Sequence, residues 1–312
     1  MDQDTARRLH EAMLLTRLTE ERLVKLLRQG KLPGNVYRSL GQEATACATA
    51  LALGPEDVIG PLIRDLGSML VRGVTPLEVF LQYLGRATGP TRGREHNNHF
   101  GSVARGIIAP TSMLGALIPV MAGVALSFVQ KGERRVAMTW IGDGGSSTGA
   151  FYEGLNFAVV RKLPLIVVGE SNGFAFSTPP DRQMAGGMAL RAQGAFTLTV
   201  DGNDAVAVYE AAAQARQRCL AGEGPVFLVC ETFRLSGHAE HDDQHYVDPE
   251  VLAQWATKDP LPRFEAWMAL QGWPPDPSLP ARHAEALLAS AEVALEAPWP
   301  EPGSLTPGVF SC

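Results

Sequence analysis

Cysteine is scarce in this chain. Four residues, Cys47, Cys219, Cys230 and Cys312, stand among 312, with no CxxC pair and no regular spacing. That argues against a disulfide framework and fits reduced thiols in a cytoplasmic protein. Basic charge is in deficit: 27 Lys and Arg face 33 Asp and Glu, for a formal net charge of −6. Nucleic acid and anionic membrane surfaces need a concentrated positive field, and the only local cluster here is Arg86, Arg92 and Arg94. Neither is expected as a partner. Long apolar runs are short of what a bilayer requires. The best candidate, Met113–Val129, is uncharged but interrupted by Gly115, Pro119 and Gly123, and no aromatic belt flanks it. It reads as a helix buried in a globular core. The first residues, MDQDTARRLHEAM, lack the apolar core of a signal peptide.

What is present reads as a folded α/β chain. Leu9, Met13, Leu14, Leu18, Leu23, Leu26 and Leu27 recur at helical spacing, and Gly30 ends the run. A turn-rich connector follows, then a small-residue helix from Gly41 to Leu53 and a Gly/Pro-punctuated stretch. Residues 86–102 read as a long exposed loop. The centre alternates: strand at Arg135–Ile141, helix at Thr148–Arg161, strand at Leu165–Gly169, strand at Thr197–Val200, helix at Ala205–Cys219, strand at Val226–Cys230. Such alternation predicts a doubly wound parallel sheet. Helices are expected near 249–257, 261–271 and 280–296, before a Pro-rich tail. With no repeat and no flexible linker, the expectation is one domain over 1–312, with a helical N-terminal arm (1–60) and a helical C-terminal extension (249–312).

In such a sheet, ligands gather beyond the carboxyl ends of the strands. Asp143 stands there between Gly142 and Gly144, directly after an apolar strand, with a helix N-terminus following. A dinucleotide fingerprint fails on detail, because Ser147 takes the place of the third glycine. A carboxylate in the turn would also repel a bare pyrophosphate. A divalent cation removes that objection: Asp143 and the amide oxygen of Asn172, 29 positions on, are hard oxygen ligands of the kind Mg²⁺ takes. A solvated turn after a strand is the alternative reading for GDG taken alone.

The GDG turn with Asn172 matches the thiamine diphosphate motif. The longer segment IGDGGSSTGAFYEGLNFAVVRKLPLIVVGESNGFAFSTP resembles the alpha subunit of the thiamine diphosphate-dependent decarboxylase component of 2-oxoacid dehydrogenase complexes. RQGKLPGNVYRSLGQEA, LIRDLGSMLVRG, VDGNDAVAVYEA and FRLSGHAEHDD resemble the family's other blocks, in the same order, between about residues 8 and 270.

The resemblance implies thiamine diphosphate and Mg²⁺ as cofactors, a thiamine diphosphate-binding α/β fold, and a metal held by Asp143, Asn172 and the main chain of Phe174. It implies that Gly144 and Gly145 offer backbone N–H groups to the diphosphate, that Ala175 adjoins it, and that Arg64 contacts it. Ile63 stands where the family has tyrosine beside that arginine. Ser112 and Leu114 fall on the segment supporting the aminopyrimidine, with the leucine as the wedge that bends the cofactor; ordinary core packing is the alternative for Leu114. Tyr37 stands where relatives often carry a histidine facing the pocket. His238 aligns with the active-site histidine, and Ala239 replaces a regulatory serine of mammalian relatives. A zinc cluster or a solvated loop is the competing reading for His238, His241 and His245. His99 is expected to support the pocket rather than bind metal with His96. A potassium site known in some branched-chain relatives is not expected, because Ala116 and Leu117 offer no side-chain oxygens. The implied activity is decarboxylation of pyruvate or a branched-chain 2-oxoacid with acyl transfer to a lipoyl group. The implied partners are a beta subunit, in an α2β2 heterotetramer, and a lipoyl-bearing dihydrolipoyl acyltransferase. An acetoin dehydrogenase alpha subunit and a non-catalytic cofactor-binding subunit are the rivals.

Overall fold

The structure, a computed structural model, describes residues 1–309; Cys312 lies outside them. Five parallel strands form one sheet in the order β1-β2-β3-β5-β4. They are β1 (Val58–Gly60), β2 (Ala137–Gly142), β3 (Leu165–Ser171), β4 (Phe196–Asp201) and β5 (Val226–Glu231). The helices are α1 (Gln3–Arg28), α2 (Glu43–Leu51), α3 (Leu66–Val71), α4 (Pro76–Tyr83), α5 (Leu117–Lys131), α6 (Gly149–Val160), α7 (Ala205–Leu220), α8 (Pro249–Ala256), α9 (Pro260–Leu270) and α10 (Leu279–Glu296).

The central strands are near-continuous apolar runs because both faces are covered. Their two-residue period sorts them between two cores. Met138, Trp140, Ile166, Val168 and Leu228 join α1, α2 and α7 on one side. Ala137, Ile141, Leu165, Val167 and Phe227 join α5 and α6 on the other. The doubly wound parallel architecture expected from the alternation is therefore present.

Three features depart from expectation. β1 and helices α3 and α4 occupy the Gly/Pro-punctuated stretch; Thr75 caps α4 in a reciprocal box with Glu78. Residues 86–102 are not simply exposed. Arg86, Asn98 and Phe100 are buried, and the C-terminal segment anchors the loop through the Arg86 guanidinium over the Trp299 ring (3.9 Å) and the Ala87 N–H to Pro298 (2.9 Å). The apolar run at 113–129 is not buried throughout. Its helix starts only at Leu117, after Gly115 at φ +81°, and while Ile118, Met121 and Ala125 are buried, Val120 and Val129 lie about half exposed (47% and 52%). One side packs on the sheet and α6; the other is open.

Buried charge ties the N-terminal helix to the rest. Arg17 of α1 donates to Glu43 of α2 (2.7 Å) and, in bidentate fashion, to Asp259 before α9 (2.8 Å each). Glu20, three residues on, accepts the backbone N–H and hydroxyl of Ser39 (2.9 Å each). These bonds hold the connector after α1, and so aim Tyr37 at the sheet's carboxyl edge. Burial and the neighbouring Glu43 push the Glu20 carboxyl up to about 8.

Candidate active site

Because the strands are parallel, the segments leaving β1, β2, β3 and β5 all emerge at the same edge. The registers place Gly142 opposite Glu170 and Ser171 opposite Glu231, so the chain turns off the sheet at nearly one level. A cavity of about 610 Å³ opens there, within the range usual for small-molecule sites. The residues that the resemblance assigns to cofactor and metal all line it: Tyr37, Arg64, Ser112, Leu114, Asp143, Gly144, Gly145, Asn172, Phe174, Ala175 and His238.

Asp143 and Asn172 are only 2% and 6% exposed. Asp143 Oδ1 accepts the Gly144 N–H at 2.8 Å, while its Oδ2 has no partner. Asn172 donates its amide nitrogen to Gln42 Oε1 at 3.0 Å, which leaves its own Oδ1 without a donor. Two buried oxygen acceptors are thus unsatisfied, an arrangement native interiors avoid unless an ion or ligand completes them. Burial raises the Asp143 carboxyl to about 6 despite the Gly144 N–H and the cations Arg234 and Arg64. The Phe174 carbonyl takes only a long contact from Arg234 (3.4 Å). This set of hard oxygens fits a divalent cation.

The glycines allow the turn to close. A Cβ on Gly144 would stand 2.7 Å from Ala175 Cβ, and one on Gly145 2.5 Å from Ile141 Cδ1. Any side chain at either position would collide with its neighbours, so only glycine lets the backbone turn there, beside the cavity. Behind the turn, Thr148 caps α6, its hydroxyl accepting the Phe151 N–H at 3.4 Å.

Two cations, Arg64 and Arg234, line the same cavity. Arg234 is 3% exposed and donates to the carbonyls of Ser236 (3.0 Å) and Phe176 (2.8 Å) and to the Tyr246 hydroxyl (2.7 Å). Tyr246 in turn donates to Asp242 Oδ2 at 2.6 Å, which also accepts the His238 backbone N–H at 2.6 Å. This chain of bonds shapes the loop that carries His238. The imidazole lies between the rings of Tyr37 (5.5 Å between centroids) and Phe176 (4.5 Å). Arg64 Nη2 stands 3.2 Å from its Nδ1.

The other histidines diverge. His241 bonds Asn35, and His245 pairs with exposed Asp243 at 2.7 Å; among the described residues no group of three metal-ligating side chains converges. His99 lines the cavity. His96 instead packs edge-on against Tyr83 at 5.4 Å.

Sequence reasoning missed Glu170, Arg234 and Phe176, all of which line the cavity. Burial lifts the carboxyls of Glu170 and buried Asp65 above the usual range; Glu170 lifts Asp65 further, while the hydrogen bond to Asp65 and the Arg64 cation oppose the rise at Glu170. The signal was a charge immediately after an apolar strand: Glu170 closes the run in β3, and Arg234 follows β5.

Fold and cavity together define the class: a doubly wound α/β protein with a largely apolar small-molecule site, bearing both carboxylates and arginines, at the carboxyl edge of its sheet. Comparison with known proteins narrows it. Residues 10–290 match the family described as dehydrogenase E1 component. The pyruvate dehydrogenase E1 component subunit alpha of Bacillus subtilis (strain 168) is 37% identical over 274 residues, covering 86% of this chain and 71% of its own. The protein of the same name from Staphylococcus aureus (strain Mu50 / ATCC 700699) is 38% identical over 269 residues, covering 85% and 70%. The chain belongs to the dehydrogenase E1 component family, as an alpha-type chain of the thiamine diphosphate-dependent 2-oxoacid dehydrogenases. Among the described residues, no helix is long and apolar enough to cross a membrane.

Proposed function

We propose that this chain is the alpha subunit of a pyruvate-type dehydrogenase, a cytoplasmic enzyme that holds thiamine diphosphate through Mg²⁺. The observation that carries the reading is the pair of buried, donorless oxygens, Asp143 Oδ2 and Asn172 Oδ1, on one cavity. With the Phe174 carbonyl they would be the protein's ligands to Mg²⁺, and diphosphate oxygens would complete the shell. Gly144 and Gly145 would offer backbone N–H groups to the diphosphate, beside Ala175. Arg64 would neutralise its charge, and His238 would hydrogen-bond one of its oxygens. Ser112 and Leu114 would support the aminopyrimidine, with Leu114 as the wedge, and Tyr37 would close the wall beside His238.

When bound, the cofactor supplies the electron sink for decarboxylation. This chain's residues bind and orient it, and they keep the diphosphate end out of water. The carboxylic acid that activates the pyrimidine is assigned to a beta subunit, in an α2β2 assembly with residues 1–312 as one alpha-subunit domain. The open side of α5, with Val120 and Val129, and exposed Tyr152, Phe157 and Val160 on α6, supports an apolar subunit interface. The acyl group would pass to a lipoyl-bearing dihydrolipoyl acyltransferase. Co-expression with the beta subunit, followed by assay with pyruvate, branched-chain 2-oxoacids and acetoin, tests the reading. Pyruvate turnover supports it; exclusive turnover of acetoin replaces it.

A further inference from the structure

His238 faces a fixed set of groups, and one of them decides where its proton sits. Arg64, from the turn after β1, directs Nη2 at the ring Nδ1 (3.2 Å) and at the His238 backbone carbonyl. A guanidinium has only donors. Burial and nearby Arg234 lower Arg64 to about 10, which leaves it protonated at neutral pH. An N–H on Nδ1 would point at an N–H of Arg64, so Nδ1 must present its lone pair. The ring proton then belongs on Nε2, for which no protein partner exists among the described residues, on a side chain that lines the cavity.

The remaining neighbours favour the same state. Tyr37 and Phe176 pack against the ring from different elements and hold its plane, and a flip within that plane would set a carbon in place of Nδ1 against the Arg64 N–H and lose that bond. Phe176 itself sits at φ +56°, a backbone conformation rare for a bulky residue, where its carbonyl accepts from Arg234 at 2.8 Å. Glu170 and Asp143 line the same cavity; among the charged and titratable groups that weigh most on His238, Arg64, Arg234 and His241 oppose its protonation and Asp242 favours it. With burial they bring the imidazole down to about 4.

We infer that Arg64 is a positioning residue that locks His238 as the neutral Nε2–H tautomer, making it a permanent hydrogen-bond donor into the cavity rather than a proton acceptor. The inference rests on the proposed function for what the donor meets, an anionic oxygen of the diphosphate or of the reacting substrate. The lock itself precedes any ligand.

Nitrogen-15 NMR of the full chain labelled at histidine tests it, with His238→Gln to assign the signals. The expected spectrum has an unprotonated-type Nδ1 and a protonated-type Nε2, unchanged from about pH 5.5 to about pH 8, where an ordinary histidine titrates. In Arg64→Met the two tautomers should mix, and the midpoint should rise by roughly one pH unit or more. A wild-type Nδ1–H signal, or a midpoint near about 6.5, overturns the inference without need of any variant. Unchanged signals in folded Arg64→Met overturn it too. Cofactor titration in the alpha–beta complex is read separately. If thiamine diphosphate fails to bind while the Nε2–H pattern holds, the proposed function falls and the lock stands; binding with the opposite pattern sinks only the lock.

Discussion

Asn172 and Gln42 meet side chain to side chain at 3.0 Å, and the direction of that bond decides what Asn172 offers the cavity. With its amide nitrogen committed to Gln42, the amide oxygen is left without a donor. Gln42 comes from the start of α2 and Asn172 from the end of β3. A helix on one side of the sheet thus orients a ligand at its edge.

Gln42→Leu should therefore weaken Mg²⁺-dependent thiamine diphosphate binding by about 10- to 100-fold, the usual cost of losing a group that orients a metal ligand. Calorimetric titration of the alpha–beta complex measures it. Undiminished affinity would mean that Asn172 does not depend on Gln42 for its orientation.

Asp143 should make the metal-free chain less stable as pH rises. Its folded value of about 6 lies above the ordinary 3.8, so the folded chain holds the extra proton between those values. Stability from this group is full below about pH 4 and is lost as pH climbs through about 6. Asp143→Asn should then stabilise the metal-free chain at pH 7 by up to about 3 kcal/mol, a gain that disappears near about pH 4. Urea denaturation at both pH values checks the sign; equal stability of variant and wild type at pH 7 contradicts it.

Arg17→Met should destabilise the fold by about 3–5 kcal/mol, because it strands the fully buried Glu43 carboxylate without its cation. It also releases Asp259 from its bidentate pair. The readout is a lower denaturation midpoint at unchanged slope. A loss below about 1 kcal/mol would place the pair among weak surface bridges.

His238→Ala should lower turnover of the assembled enzyme by about 10²-fold or more while leaving the chain folded, since it removes a hydrogen-bond donor from the cavity rather than core packing. Circular dichroism and steady-state kinetics separate the two effects. Turnover at the wild-type level in a folded variant makes His238 an ordinary loop residue.

The legible parts of the sequence were those with local grammar. β2, β3 and β5 are apolar runs bounded by turns, α1 and α7 have clear helical spacing, and Asp143 and Asn172 each follow a strand at once. β1 escaped because three residues carry no pattern, and α3 and α4 because each is short and framed by Gly and Pro. The open face of α5 was hidden by composition: a helix apolar all round does not declare which side is covered. The anchoring of residues 86–102 depends on Trp299 and Pro298, some two hundred positions away, and no local signal carries it. Glu170 and Arg234 had a recognisable position after their strands, but only the fold brings both to one cavity.

The most direct measurement of the central claim is titration of thiamine diphosphate into the alpha–beta complex, with Mg²⁺ and with the metal chelated, for the wild type and Asp143→Ala. Asp143 is the cavity's only carboxylate among the three proposed metal ligands, so the account predicts tight binding for wild type with Mg²⁺ and none in the other three conditions. Equal affinity in Asp143→Ala, or binding indifferent to chelation, would contradict it.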